Sequence, residues 1–172
     1  MPIVPDTKDW TWVTRRPCPE CGFDPDGVTP DRAGAIIRGA IPRWRDALSR
    51  PDAGQRPNDA VWSVLEYGAH VRDACRVFEG RLALMLAEDN PGFPDWDQDR
   101  EALEGAYAQA DPHRVAQELE AGAAAVAAAF EAVPLEQWDR RGLRSNGSAF
   151  TVRTLGAYFA HDVVHHLHDV GA

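Results

Sequence analysis

The chain has 172 residues, 44% of them hydrophobic, which is enough to bury the core of one domain without disulfides or a structural metal. Its net charge is −9 and its arginines are scattered, with Arg15-Arg16 and Arg140-Arg141 the tightest groups, so nucleic-acid binding is not expected. No apolar run approaches the roughly 20 residues of a membrane span. Met1–Asp9 lacks the basic start and apolar stretch of a signal peptide, and three cysteines (Cys18, Cys21, Cys75) make no disulfide framework. The expectation is a cytoplasmic protein with no membrane and no nucleic-acid partner.

Residues 1–28 lack periodicity and hold five prolines, and read as an irregular N-terminal arm. Thr29-Pro30-Asp31 is a helix start, with an N-cap, a proline at the first position and an acid in the first turn. Ala33, Ile37, Ile41, Trp44 and Leu48 then mark one helical stripe, with Pro42 expected to kink it. After a turn region from Ser49 to Pro57, Asn58 is expected to cap a second helix running to about Glu88. Its main stripe is Val64, Val71, Cys75, Phe78, Leu82 and Leu86, and Ala74, Val77 and Leu84 form a weaker one opposite. Asn90–Gln98 reads as a loop and Glu101–Gln109 as a short helix.

Asp111-Pro112 repeats the cap-then-proline signal ahead of Val115, Leu119, Val126 and Phe130. Asn146-Gly147 marks a turn. Thr151 is expected to cap a last helix from Val152 to Asp169, stopped at Gly171. Four substantial helices and no convincing strand predict an all-α fold: a four-helix bundle over residues 29–172 with the arm before it.

Four of the six histidines crowd into His161-Asp162-Val163-Val164-His165-His166-Leu167-His168. Residues four apart share a helix face, so His161 and His165 can grip one ion from adjacent turns. His168 lies on the same side as a competitor, while His166 is rotated toward the apolar stripe. Catalytic zinc commonly takes three protein ligands, and His70 on the second helix is the third candidate. Glu66, Asp73 and Asp169 are placed to hold a ligand's free ring N–H. One feature opposes this reading: His161 projects away from the last helix's apolar stripe, as a solvent-facing histidine would.

Cys18-Pro19-Glu20-Cys21-Gly22 is half of a zinc knuckle. A redox dithiol, a metal site completed by residues elsewhere and a chemically inert turn all stay open for it, although no thioredoxin-like pattern surrounds it. Cys75 falls on a core stripe and reads as apolar filler. His113 reads as exposed. Arg144, Asn146 and Ser148 are candidates to contact a polar substrate.

Two segments, Trp62-Ser63-Val64-Leu65-Glu66-Tyr67-Gly68-Ala69-His70-Val71-Arg72-Asp73 and His161-Asp162-Val163-Val164-His165-His166-Leu167-His168-Asp169, resemble the second- and fourth-helix signatures of the DinB/YfiT-like superfamily. The resemblance implies a four-helix bundle with long crossover connections. It also implies a divalent metal, zinc or nickel, on His70, His161 and His165. Relatives include mycothiol-dependent maleylpyruvate isomerase and thiol S-transferases, and the arginine- and alanine-rich composition fits an actinobacterial source, where mycothiol is the main small thiol. The expected partners are therefore a small-molecule thiol and an electrophilic substrate, with a homodimer left open. The leading function is a metal-dependent thiol S-transferase. A metal-dependent hydrolase, a non-catalytic metal-binding or stress-response protein, and redox sensing by Cys18 and Cys21 are its rivals.

Overall fold

The computed structural model describes residues 8–172; the first seven residues of the arm lie outside it. Among the described residues are five α-helices: α1 (Pro30–Leu48), α2 (Val64–Ala87), α3 (Gln98–Glu104), α4 (Pro112–Glu131) and α5 (Val152–Asp169). α1 and α2 each pack along α4 and α5 and touch one another little, so two helices consecutive in the chain sit across the bundle from each other. The connections must therefore cross the bundle ends, which is the crossover topology the sequence resemblance implied.

Local chemistry sets most of the helix ends. Pro30 and Pro112 occupy the first turns of α1 and α4, with Asp111 accepting from the Arg114 N–H at 2.7 Å. α2 begins later than expected: Asn58 closes a turn, and Ser63 is the true cap, paired with Glu66 in a capping box. The short helix is also displaced. α3 ends at Glu104, Ala106 takes a left-handed conformation (φ 48°), and residues 107–109 form only a 3-10 turn.

A three-stranded sheet was not expected. β1 (Gly92–Phe93) pairs parallel with β2 (Arg141–Arg144), and β2 pairs antiparallel with β3 (Ala149–Thr151) through the Asn146-Gly147 turn, where Gly147 has φ 92°. The sheet closes one end of the bundle and leads directly into the Thr151 cap of α5. The core runs through all four long helices, with Trp44, Phe130, Phe159, Ile37 and Leu155 fully buried. The arm joins it through Cys18, Phe23 and Val28, and Val13 is buried as well. No helix among the described residues is long and apolar enough to cross a membrane.

Candidate metal centre

Thr151 and Thr154 cap α5 reciprocally and fix where its turns begin. Successive residues are rotated by about 100°, so His161 and His165 form one strip and Asp162, His166 and Asp169 form the neighbouring strip. The first strip meets the N-terminal arm; the second meets α2.

On the second strip, His70, Asp162 and His166 bring one ligand atom each to within 4.8 Å of one another. His70 Nε2 lies 3.5 Å from Asp162 Oδ2, and His166 Nε2 lies 3.5 Å from Asp162 Oδ1. Both nitrogens of His70 and Asp162 Oδ2 are buried without a hydrogen-bond partner. Unsatisfied polar atoms of this kind cost about 1–3 kcal/mol each in a finished structure. Two ligand atoms on metal bonds of about 2.1 Å sit roughly 3.0–3.5 Å apart, so the residues present fit a divalent cation. Their donor set, two imidazoles and one carboxylate, suits zinc, iron or nickel and leaves coordination positions open.

The electrostatics are those of a buried charge cluster. Burial alone would raise the Asp162 carboxyl, but His166 and His70 hold it far below the ordinary carboxylate range. Burial would likewise lower His166, but Asp162 and Asp169 outweigh it and push the imidazole up to about 9. His166 Nδ1–H donates to Asp169 Oδ2 at 2.8 Å, which fixes the ring with Nε2 toward Asp162. Trp96 stacks on His70 at 5.1 Å between centroids, and Tyr67 lies 4.9 Å from the His166 ring.

A cleft of about 430 Å³ has Asp162 and His166 on its wall together with His161 and His165, beside Trp10, Trp62, Tyr67 and Tyr158, while His70 lines a recess of about 60 Å³ with Asp162 and Trp96. A second hollow of about 620 Å³ shares Trp10 and Tyr158 with the cleft and carries Arg144, Asn146 and Ser148. The loop residues proposed as polar substrate contacts thus lie beside the site.

On the first strip, His161 and His165 gather with Cys18 and Cys21, one ligand atom from each within 4.8 Å of the others. His161 and His165 are buried although they point away from the main apolar stripe of α5, because the arm covers that face. Trp10 lies 4.8 Å from the His165 ring and Phe23 5.5 Å from the His161 ring. Burial, with His165 nearby, pushes the His161 imidazole down to about 4, and burial pushes the Cys21 thiol up to about 11.

The expected triple of His70, His161 and His165 is therefore divided. The structure keeps His161 with His165 but gives them Cys18 and Cys21 as companions, and it places His70 with Asp162 and His166. The reason is angular: His166 lies one residue further round α5 than His165, and that rotation turns it to α2 rather than into the apolar stripe. The expected supports change as well. Glu66 is engaged by Arg56 and Ser63, and Asp73 by Arg72, Arg76 and Tyr107, so neither hydrogen-bonds His70. Asp169 hydrogen-bonds His166, and faces His165 Nε2 only at 3.7 Å. His168 and His113 are exposed. Sequence reasoning passed over Asp162 and His166 as ligands, yet Asp162-x-x-x-His166 repeats the i, i+4 spacing of His161-x-x-x-His165 one residue on.

The family model of the DinB superfamily matches residues 33–170. Among solved structures, YfiT from Bacillus subtilis, described as a probable metal-dependent hydrolase with an unusual four-helix bundle topology, superposes with a TM-score of 0.71. That match has 19% sequence identity and covers 81% of this chain and 82% of the other. No curated protein matches the chain.

Proposed function

The chain belongs to the DinB superfamily, and from that premise we propose that it is a metal-dependent enzyme whose divalent cation, zinc or nickel, is held by His70, Asp162 and His166. We take its nucleophile to be a small-molecule thiol of the mycothiol class, transferred to an electrophile in the cleft. The observation that carries this reading is the set of unpartnered, buried ligand atoms on His70 and Asp162, with Asp162 and His166 reaching the wall of a cleft of about 430 Å³ and His70 behind them in a recess of about 60 Å³ that Asp162 also lines. Such a cleft volume falls within the range of small-molecule sites. When bound, a cation there lowers the pKa of a thiol or water beside it and so supplies a nucleophile near neutral pH.

The protein groups orient and enclose. Asp169 accepts from His166 Nδ1–H and so orients Nε2 toward Asp162, where a cation would displace the Nε2 proton and bind. Trp10, Trp62 and Tyr67 form an apolar wall that limits water around the reacting atoms. Arg144, only 9% exposed, is held by Asn146 and Ser148 and paired with Asp95 at 3.4 Å, which fixes its guanidinium on the wall of the neighbouring hollow.

A hydrolase reading uses the same cation with water in place of the thiol, and the likeness to YfiT, a probable metal-dependent hydrolase, favours it. The two separate experimentally. Protein loaded with zinc or nickel is assayed for conjugation of mycothiol to a bimane or chloronitrobenzene acceptor, and for ester and amide hydrolysis without thiol. Metal-dependent conjugation that His70→Ala abolishes is the expected result. Turnover only without thiol would replace the transferase with a hydrolase, and no metal-dependent rate in either assay would leave a non-catalytic metal protein.

A further inference from the structure

Beside the open three-residue centre, the chain carries a second group, in which two α5 histidines of its family signature meet two cysteines of the N-terminal arm. We propose that Cys18, Cys21, His161 and His165 form a separate, closed zinc site that staples the N-terminal arm to α5. The four ligand atoms come from two segments more than a hundred residues apart and meet within 4.8 Å. Cys18 Sγ lies 3.7 Å from His165 Nδ1. A tetrahedral zinc with Zn–S of about 2.3 Å and Zn–N of about 2.0–2.1 Å separates such atoms by roughly 3.6 Å.

Three further observations support an ion rather than simple packing. His161 is 4% exposed and its Nε2 has no hydrogen-bond partner. The Cys18–Cys21 turn is tied as a knuckle, with Gly22 N–H donating to Cys18 O at 2.9 Å and Cys18 N–H donating to Phe23 O at 2.8 Å. Gly22 sits at φ 74°, where a side chain would be strained. Finally, His165 turns Nδ1 to Cys18 while its Nε2 faces Glu20 at 3.6 Å and Asp169 at 3.7 Å, the carboxylate backing that ligating histidines usually have.

Two thiolates and two imidazoles select zinc over harder cations, and four protein ligands leave no position for substrate, so the site is structural. Binding releases the thiol protons to solvent, and its free energy adds to that of docking the arm. The arm brings Trp10 and Glu20 to the wall of the cleft, so the staple also shapes the neighbouring centre.

The test uses the full chain loaded with cobalt as a spectroscopic stand-in, together with thiol alkylation followed by peptide mass spectrometry. We expect thiolate-to-cobalt charge-transfer absorption and tetrahedral visible bands that persist in His70→Ala and vanish in the Cys18→Ser/Cys21→Ser double variant. In the unaltered protein, zinc should shield Cys18 and Cys21 from alkylation at least tenfold, with the protection removed by a chelator, while Cys75 stays unreactive in both states. The alkylation result does not depend on the double variant folding. Absence of thiolate-to-cobalt bands, their loss in His70→Ala alone, or thiols equally reactive with and without zinc would overturn the proposal. So would a Cys18–Cys21 disulfide in freshly purified protein. Failure of the catalytic reading leaves all of these measurements unaffected.

Discussion

The Asp169 carboxylate accepts a hydrogen bond from His166 Nδ1 at 2.8 Å, and its other oxygen faces His165 Nε2 at 3.7 Å, so one side chain at the end of α5 backs both ligand groups. The shorter contact is the one that sets a ring. Asp169→Ala should therefore weaken metal binding at the His70–Asp162–His166 centre by about 10–100-fold and affect the cysteine-containing group less. Competition titrations against a chelator, with cobalt spectra to tell the two groups apart, measure this. An unchanged affinity at the three-residue centre would refute the orienting role.

Because the two strips of α5 face different elements, their histidines should be separable. His70→Ala is expected to remove one equivalent of metal and any metal-dependent turnover while leaving Cys18 and Cys21 protected. His161→Ala is expected to do the reverse for thiol protection and to leave the metal at the other centre. Elemental analysis of both purified variants decides the matter. Loss of the same equivalent in both would restore the undivided His70–His161–His165 site.

Much of this architecture was legible in the sequence because helix starts are local. Thr29-Pro30, Asp111-Pro112 and Thr151 announce their helices through the chemistry of a few adjacent residues. Ser63 was legible in principle, since Ser63-x-x-Glu66 is a capping box, but Asn58 offered an earlier and competing cap. The sheet could not be read, because its strands are two to four residues long and β1 pairs with a partner about fifty residues away. At the site, the i, i+4 histidines named the right helix. A helical wheel gives the face a residue occupies but not which element covers it, and the arm that covers His161 has no periodicity to reveal its course. That gap is why the candidate ligands group differently from expectation.

Acid should weaken α2 at its first turn. Glu66 is 3% exposed, takes hydrogen bonds from the Ser63 N–H and hydroxyl at 2.9 Å, and is paired with Arg56. Burial would raise its carboxyl, but Arg56 and Ser63 outweigh burial and leave it below its ordinary value. A folded-state pKa below the unfolded one gives stability that is complete above the unfolded value, about 4.3, and lost as pH falls through the lower folded value. Glu66→Gln should cost about 2 kcal/mol at pH 7, less than a fully buried pair because Arg56 is partly exposed. The gap between the two proteins should narrow below about pH 4.3. Urea melts of both proteins across that range provide the check, and a gap that widened with acid would contradict the assignment.

The approach of α1 to α4 rests on a missing side chain. A Cβ at Gly34 of α1 would stand 2.5 Å from the Ala127 carbonyl oxygen and 2.7 Å from Glu131 Cγ on α4. Glu131 is a flexible side chain that can withdraw, although it would give up its pairing with Arg38 at 2.8 Å; the Ala127 carbonyl belongs to the α4 backbone and cannot move without the helix. In an unconstrained helix Gly→Ala gains about 0.5–1 kcal/mol from backbone entropy. Forcing α1 and α4 apart costs about 1–3 kcal/mol, so the steric effect should win and Gly34→Ala should lower the melting temperature by several degrees. Gly39→Ala on the same helix, where a Cβ would meet nothing within 4 Å, is the control and should be neutral or stabilising. If Gly34→Ala proved as stable as Gly39→Ala, the two helices would not approach one another as closely as the structure has them.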